Sequence, residues 1–335
     1  MRSAGHGRGR RTRTEVGRGI NMQVLVTGGA GFIGSHLVDS LVDAGHDVLL
    51  IDNLHTGSQA NVNTKAMFYR MDLTDHAAMG QVFTRNEIQA VFHLGARVNV
   101  RESMQDPVGY AAVNVSASLA LMELSRATGV EQFIFISSGG AVYGEGIQAD
   151  GSHKAFTEED PINPKDNYAA NKLAIEQHLA LYREAYDFPS AVLRFANIYG
   201  PRQNPKGEAG VVAIFTEAML KNQEIRIHGD GTQARDFLYV SDAVDSCLSA
   251  LKHRARGVFN VGSGQPTTIN EIFQKLASLT HYHRAPVNIE RPVGEVDLAY
   301  LNTSLARSSW GWSNRVDLQQ GLTNVVKHVQ AELQK

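Results

Sequence analysis

The chain has 335 residues, 43% of them hydrophobic and 20% charged, enough for one large or two ordinary domains with a buried core, which excludes collagen-like, disordered and miniprotein classes. Lys plus Arg number 32 against 34 Asp plus Glu, a net charge of −2, so no overall field draws in nucleic acid or an anionic membrane and binding must come from local sites. The single Cys247 allows no internal disulfide and no cysteine metal cluster. With no apolar run near the roughly 20 residues of a bilayer span, the sequence predicts a soluble, cytoplasmic protein.

Residues 1–21 depart from this average. Arg2, Arg8, Arg10, Arg11, Arg13 and Arg18 oppose only Glu15 in a Gly-rich stretch, which predicts a solvated, disordered basic tail rather than a nucleic-acid arm or transit peptide. Without the tail the folded body carries about −7. From Gln23 short β-branched runs alternate with helix-period segments: strands are predicted at 23–27, 47–51, 66–70, 90–94, 132–137 and 190–195, with long helices at 106–128 and 168–186. This order predicts an α/β fold, a doubly wound parallel sheet, over 22–200. Nearly continuous apolar strands agree, because both faces of such a sheet are covered. Beyond Tyr199 the pattern becomes irregular, and 201–335 reads mainly as a smaller α/β lobe, with later segments free to return to the first.

The first strand runs into Thr27-Gly28-Gly29-Ala30-Gly31-Phe32-Ile33-Gly34 and then a periodic helix. Only Cβ-free residues let backbone approach a pyrophosphate, and a helix N-terminus adds positive potential, so Gly28, Gly31 and Gly34, with Phe32 and Ile33, predict a dinucleotide site. Asp52, 18 residues after Gly34, is placed to bind both ribose hydroxyls of NAD and to repel the 2′-phosphate of NADP, with Asn53 beside it. Later strand ends supply Asp72 and Leu73, then Leu94, Gly95 and Ala96; Asp72 either flanks adenine or caps the next helix. No metal set is present: the His281, Tyr282, His283 run reads as a solvated loop. Cys247 reads as a small buried residue in the helix after Ser241.

Tyr168 and Lys172 stand four apart on a predicted helix, so they project from one face. A phenol beside an ammonium and a positive nicotinamide favours its charged form, which predicts Tyr168 as a base. Ser137-Ser138-Gly139-Gly140-Ala141-Val142-Tyr143-Gly144 closes the fifth strand nearby.

With these motifs the chain resembles the extended short-chain dehydrogenase/reductases, a Rossmann-type family, and most closely its nucleotide-sugar 4-epimerases. The carrying segments are T-G-G-A-G-F-I-G, I-D-N-L at 51–54, H-L-G-A at 93–96, S-S-G-G-A-V-Y-G, Y-A-A-N-K, L-R-F-A-N-I-Y-G-P at 193–201 and R-D-F-L-Y-V at 235–240. The resemblance implies that Tyr168 takes the proton of the sugar 4-hydroxyl while NAD takes the C4 hydride. The 4-keto sugar then rotates and is reduced on its other face. It further implies that Lys172 binds the nicotinamide ribose, that Asn114 lies near the active site with Ser103 and Pro107 in the preceding loop, and that Asn197, Val212, His228, Arg235, Arg291 and Glu295 meet the UDP-sugar. A homodimer built on the two long helices is implied as well.

The chain departs from the family pattern in several places. The family hydroxyl three residues before Val142 is Gly139 here, leaving Ser138 as the candidate, one position early and usable if the strand end bends. Val98 replaces a lysine found in some members, and His228 an aromatic at the uridine site. Gly140 and Ala141 replace the acids that 4,6-dehydratases and decarboxylases use, which disfavours both. Ala299, where some epimerases carry a bulky residue, predicts room for UDP-N-acetylglucosamine beside UDP-glucose. A UDP-glucuronate epimerase, or a non-catalytic NAD-binding protein, is the alternative.

Overall fold

A computed structural model of the chain describes residues 21–148, 150–206, 210–291 and 295–334; the predicted basic tail falls outside them except for Asn21. Among the described residues thirteen strands appear in chain order: β1 Gln23–Thr27, β2 Asp47–Asp52, β3 Met67–Arg70, β4 Ala90–His93, β5 Gln132–Ser138, β6 Ser190–Phe195, β7 Asn197–Tyr199, β8 Arg226–His228, β9 Ala234–Tyr239, β10 Gly257–Val261, β11 Pro266–Thr268, β12 Val287–Ile289 and β13 Leu298–Ala299.

The central sheet is parallel throughout, in the order β10-β6-β5-β4-β1-β2-β3. Successive side chains of β1 point to opposite faces, so Val24 and Val26 meet the Phe32–Asp43 and Val240–Lys252 helices through Leu37, Val38, Leu41 and Val244. Leu25 lies on the other face, with Met79 and Val82 of the His76–Arg85 helix and with Leu121, Ile175 and Leu179. This double cover is why the strands read as unbroken apolar runs. The chain leaves β1 for β2 on one side and β4 lies on the other, which opens a crevice at the carboxyl ends of these strands. β10 and the Val240–Lys252 helix come from beyond residue 200 and still join this layer. Cys247 is buried in that helix.

The remaining strands form two small sheets, β11-β9-β13 with β7 on β9, and β12 with β8. Their core of Phe215, Phe237, Tyr239, Ile272, Leu276 and Leu322 is closed by the Val211–Leu220, Ile269–Thr280 and Leu318–Leu333 helices.

Three expectations need correction. The helix over 106–128 is interrupted: Pro107–Ala111, a π-turn at Ala112–Ser116 and Ala117–Ala127 follow one another. That stretch is, by length and composition, apolar enough to cross a membrane, but Tyr110, Ala117, Leu121 and Met122 are buried, and the last three pack in the core beside the sheet. Leu121, Met122 and Leu179 therefore serve the core rather than an outer surface. In the His281–His283 run only the histidines are exposed; Tyr282 is buried, its hydroxyl donating to the Gln223 carbonyl at 2.7 Å.

Candidate active site

Gly28 follows β1 with φ +70, and a Cβ on it would lie 2.9 Å from the Gly95 nitrogen; one on Gly34 would lie 2.1 Å from the Gly28 carbonyl oxygen. Larger residues do not fit this turn without moving backbone. The Asp52 carboxylate braces it, accepting from the Ala30 amide at 3.0 Å and the Leu54 amide at 2.8 Å. The loop beyond folds back, with the Ser58 amide and the Asn61 side chain donating to the Ala30 carbonyl at 3.0 and 3.1 Å. Over the turn lies a cleft of about 650 Å³ lined by Gly28, Gly31, Phe32, Ile33, Gly34, Asp52, Leu94, Gly95 and Ala96 and reaching Ser138, Tyr168 and Lys172. A neighbouring cavity of about 390 Å³ adds Asn53, Asp72 and Leu73. Asp72 is no helix cap: Asp75 caps the following helix through the Ala78 amide, while Asp72 accepts from Asn53 Nδ2 at 2.6 Å and from Thr74.

Beneath the floor runs one chain of hydrogen bonds. Gly95 N–H donates to Thr27 Oγ1 at 3.1 Å, Thr27 and His93 Nδ1 are 2.7 Å apart, His93 Nε2 and Ser118 Oγ are 2.7 Å apart, and Ser118 donates to the Asn114 carbonyl at 2.7 Å. Because Ser118 gives its proton to a carbonyl, His93 must donate from Nε2 and accept at Nδ1. Burial, with the Lys172 charge beside it, pushes His93 down to about 3, so it is neutral. Asn114 does not line either cavity. Its side chain grips the backbone of Arg97, accepting from N and donating to O at 2.8 Å each, so it shapes the Leu94–Arg97 loop from within the π-turn.

The Asn167–Tyr186 helix starts at an Asp166 cap, and its Tyr168 amide donates to Ser103 Oγ at 3.2 Å. Ser103, flagged by sequence only as part of a loop pattern, thus satisfies a helix-start donor next to Tyr168. β5 extends to Ser138, which lines the large cleft with Tyr168 and acts on it in the sense that favours the phenolate. A Cβ on Gly139 would instead lie 2.7 Å from Leu301 Cδ1. The strand end therefore presents residue 138 to the cleft and turns residue 139 towards Leu301.

Tyr168 itself departs from expectation. Burial pushes its hydroxyl up to about 12, and Ser138 is the group that opposes this. Lys172 Nζ lies 5.9 Å from the Tyr168 ring centroid and donates to the Ile136 carbonyl at 2.7 Å; it does not by itself make the phenol acidic. Burial also pulls Lys172 down to about 8, against the pull of Glu176.

A third cavity, of about 630 Å³, shares Ile198 and Gln203 with the large cleft and is lined by Asn197, Val212, His228, Arg235 and Glu295. Arg235 pairs with Glu295 at 3.5 Å. His228 Nδ1 lies 3.0 Å from the Glu290 carbonyl, which can only accept, so Nδ1 is the donor. Arg291 is not among the lining residues; its guanidinium bonds Asp297 and the carbonyls of Glu295 and Val296. Ala299 is buried in β13 opposite Arg235.

Sequence reasoning missed Thr56, Gly57, Ser58 and Asn61, and Arg202, Gln203, Asn204 and Lys206, all of which line the large cleft. The polar, Gly-containing run directly after Asp52 was the available signal for the first group. For the second, the basic residues after Tyr199-Gly200-Pro201 were visible, but nothing local says that this loop returns to the first strand's turn.

The tight turn, the helix N-terminus above it and the Asp52 carboxylate fit the pyrophosphate and ribose of NAD. Comparison with known proteins agrees. The profile of the NAD dependent epimerase/dehydratase family matches residues 24–262. A putative UDP-glucose 4-epimerase of Methanocaldococcus jannaschii is 40% identical over 303 residues, 90% of this chain and 97% of that one. The crystal structure of a Thermotoga maritima UDP-glucose 4-epimerase with UDP-glucose superimposes with a TM-score of 0.90 at 41% identity, covering 93% of this chain and all (100%) of that one. That of a Thermus thermophilus UDP-glucose 4-epimerase in complex with NAD gives 0.86 at 37% identity, covering 92% and 99%.

Proposed function

Because the chain belongs to the NAD dependent epimerase/dehydratase family and is an NAD-dependent isomerase of the nucleotide-sugar 4-epimerase type, we propose that it interconverts UDP-glucose and UDP-galactose. The observation that carries this reading is the meeting of Ser138, Tyr168 and Lys172 at the end of the cofactor cleft, beside the third cavity, lined by Arg235. When bound, NAD supplies a reversible hydride acceptor and a positive ring. Tyr168 holds and returns the proton of the sugar 4-hydroxyl. Ser138 offers a donor to the phenolate oxygen, the form that accepts the proton, and Lys172 adds a positive charge beside it. Arg235 offers a guanidinium to the diphosphate, and His228 its imidazole near the base.

The small Ala299 beside Arg235 supports turnover of UDP-N-acetylglucosamine as well. Elimination of water is disfavoured, because Gly140 and Ala141 carry no acid or base. We read the working form as a cytoplasmic homodimer: Met104, Val108 and Leu181, on the helices that flank the catalytic face, are 58%, 80% and 54% exposed.

The test is NMR of the purified protein with UDP-glucose, UDP-N-acetylglucosamine and UDP-glucuronate in turn, without added NAD. Inversion at C4 of the first two is expected, and Tyr168→Phe is expected to keep its NAD and lose turnover. No inversion of any sugar, or undiminished turnover in Tyr168→Phe, refutes the reading.

A further inference from the structure

The Tyr168–Lys172 face continues one more turn to Glu176, which is 3% exposed although it is charged. Its carboxylate is held from two strands. Ser137 Oγ on β5 donates to Oε1 at 2.5 Å, and Arg194 on β6 donates through Nε at 3.0 and 3.2 Å and through Nη2 at 2.6 Å. Arg194 is also 3% exposed, and it is fixed in turn: its Nη1 donates to the Tyr143 hydroxyl at 2.6 Å, and that hydroxyl donates to Asn260 Oδ1 on β10 at 2.8 Å. Well-packed apolar residues usually serve a fold as well as a buried ion pair does. Stability therefore gives little reason for a charge pair at this depth, and its position beneath Lys172 gives a chemical one.

Lys172 is 5% exposed and stands on the Phe135 ring, 4.7 Å from its centroid. The groups that face it are Tyr168 and Glu176 on its own helix, His93 on β4 and, through Glu176, Arg194 on β6. His93 is neutral and Tyr168 holds its proton in this environment. Among the described residues, Glu176 is the anion acting on Lys172.

We propose that Glu176 is a positioning residue for the reaction: clamped by Arg194 and Ser137 one helical turn from Lys172, its carboxylate keeps that buried ammonium protonated so that it can favour the Tyr168 phenolate. This rests on the reading of Tyr168 and Lys172 given above. Burial draws Lys172 down to about 8, with Glu176 working in the opposite direction. Without Glu176, Lys172 loses its proton at lower pH.

The experiment is the pH profile of kcat on UDP-galactose for the purified holoenzyme, Glu176→Gln, and the double variant Glu176→Met with Arg194→Met. The double variant removes the pair without leaving Arg194 unpartnered, and so covers the case in which the single variant does not fold. The alkaline limb is expected to move towards acid by about one pH unit or more in the single variant, and less far in the double variant, with NAD still bound. An alkaline limb at the wild-type position in the folded double variant, with Tyr168→Phe inactive, overturns this inference and leaves the catalytic reading intact. Turnover by Tyr168→Phe overturns both.

Discussion

Replacing Ser138 by Ala removes the hydroxyl at the end of β5 that opposes the burial holding the Tyr168 proton. Deleting a single donor to a negatively charged oxygen in a desolvated site lowers kcat by about 100- to 1,000-fold, or about 3 to 4 kcal/mol of barrier. KM should change little, because the lost donor acts on the charge state of Tyr168 rather than on binding of the nucleotide. Initial rates of UDP-galactose conversion, followed by NMR and normalised to bound NAD, measure this. The sharper comparison is Ser138→Ala combined with Gly139→Ser, which returns a hydroxyl to the position that the family pattern designates. A Cβ there would lie 2.7 and 3.0 Å from the two Leu301 methyls and 3.3 Å from the Arg194 carbonyl, on the side occupied by Leu301, so no rescue is expected. Recovery to within about tenfold of wild type would refute the assignment of the hydroxyl to residue 138, as would a Ser138→Ala enzyme of undiminished rate.

Gly34→Ala places a methyl 2.1 Å from the Gly28 carbonyl oxygen; the purified variant is expected to contain little NAD by chromatography of the denatured protein, and stoichiometric NAD would show that the turn is not the pyrophosphate site. Acid stability tests the His93 chain. With His93 held near 3 when folded, against an ordinary 6.5 when unfolded, the unfolded state takes up the extra proton, so stability falls as pH drops below that ordinary value. The loss is about 2 kcal/mol between pH 6.5 and pH 4.5. Urea unfolding of wild type and His93→Gln across this window should show a smaller loss in the variant, and equal losses would remove His93 as the cause.

Much of the molecule was legible in the chain because its signals are local. The continuous apolar strands, the glycines between β1 and its helix, and the Tyr168 to Lys172 spacing each report a backbone requirement within a few residues, and the central sheet follows from them. Asp52 was legible for the same reason, as the acidic end of the second strand. The strand β10 was not, since nothing in Gly257–Val261 says that it must pair with β6 rather than with the strands around it.

Tertiary structure decided the matters that depend on where distant residues meet. Counting along the motif does not say which of residues 138 and 139 faces the cleft; the direction in which β5 ends puts residue 138 there and residue 139 against Leu301. Asn114 was legible as a residue near the site, whereas its task, gripping the Arg97 backbone, needed the fold. The protonation of Tyr168 and Lys172 likewise depends on burial and on charges brought in from other strands, so spacing on one helix set the pair in place without setting its chemistry. Local backbone geometry is written in short windows of sequence, whereas solvation and long-range contact exist only once the chain has closed on itself.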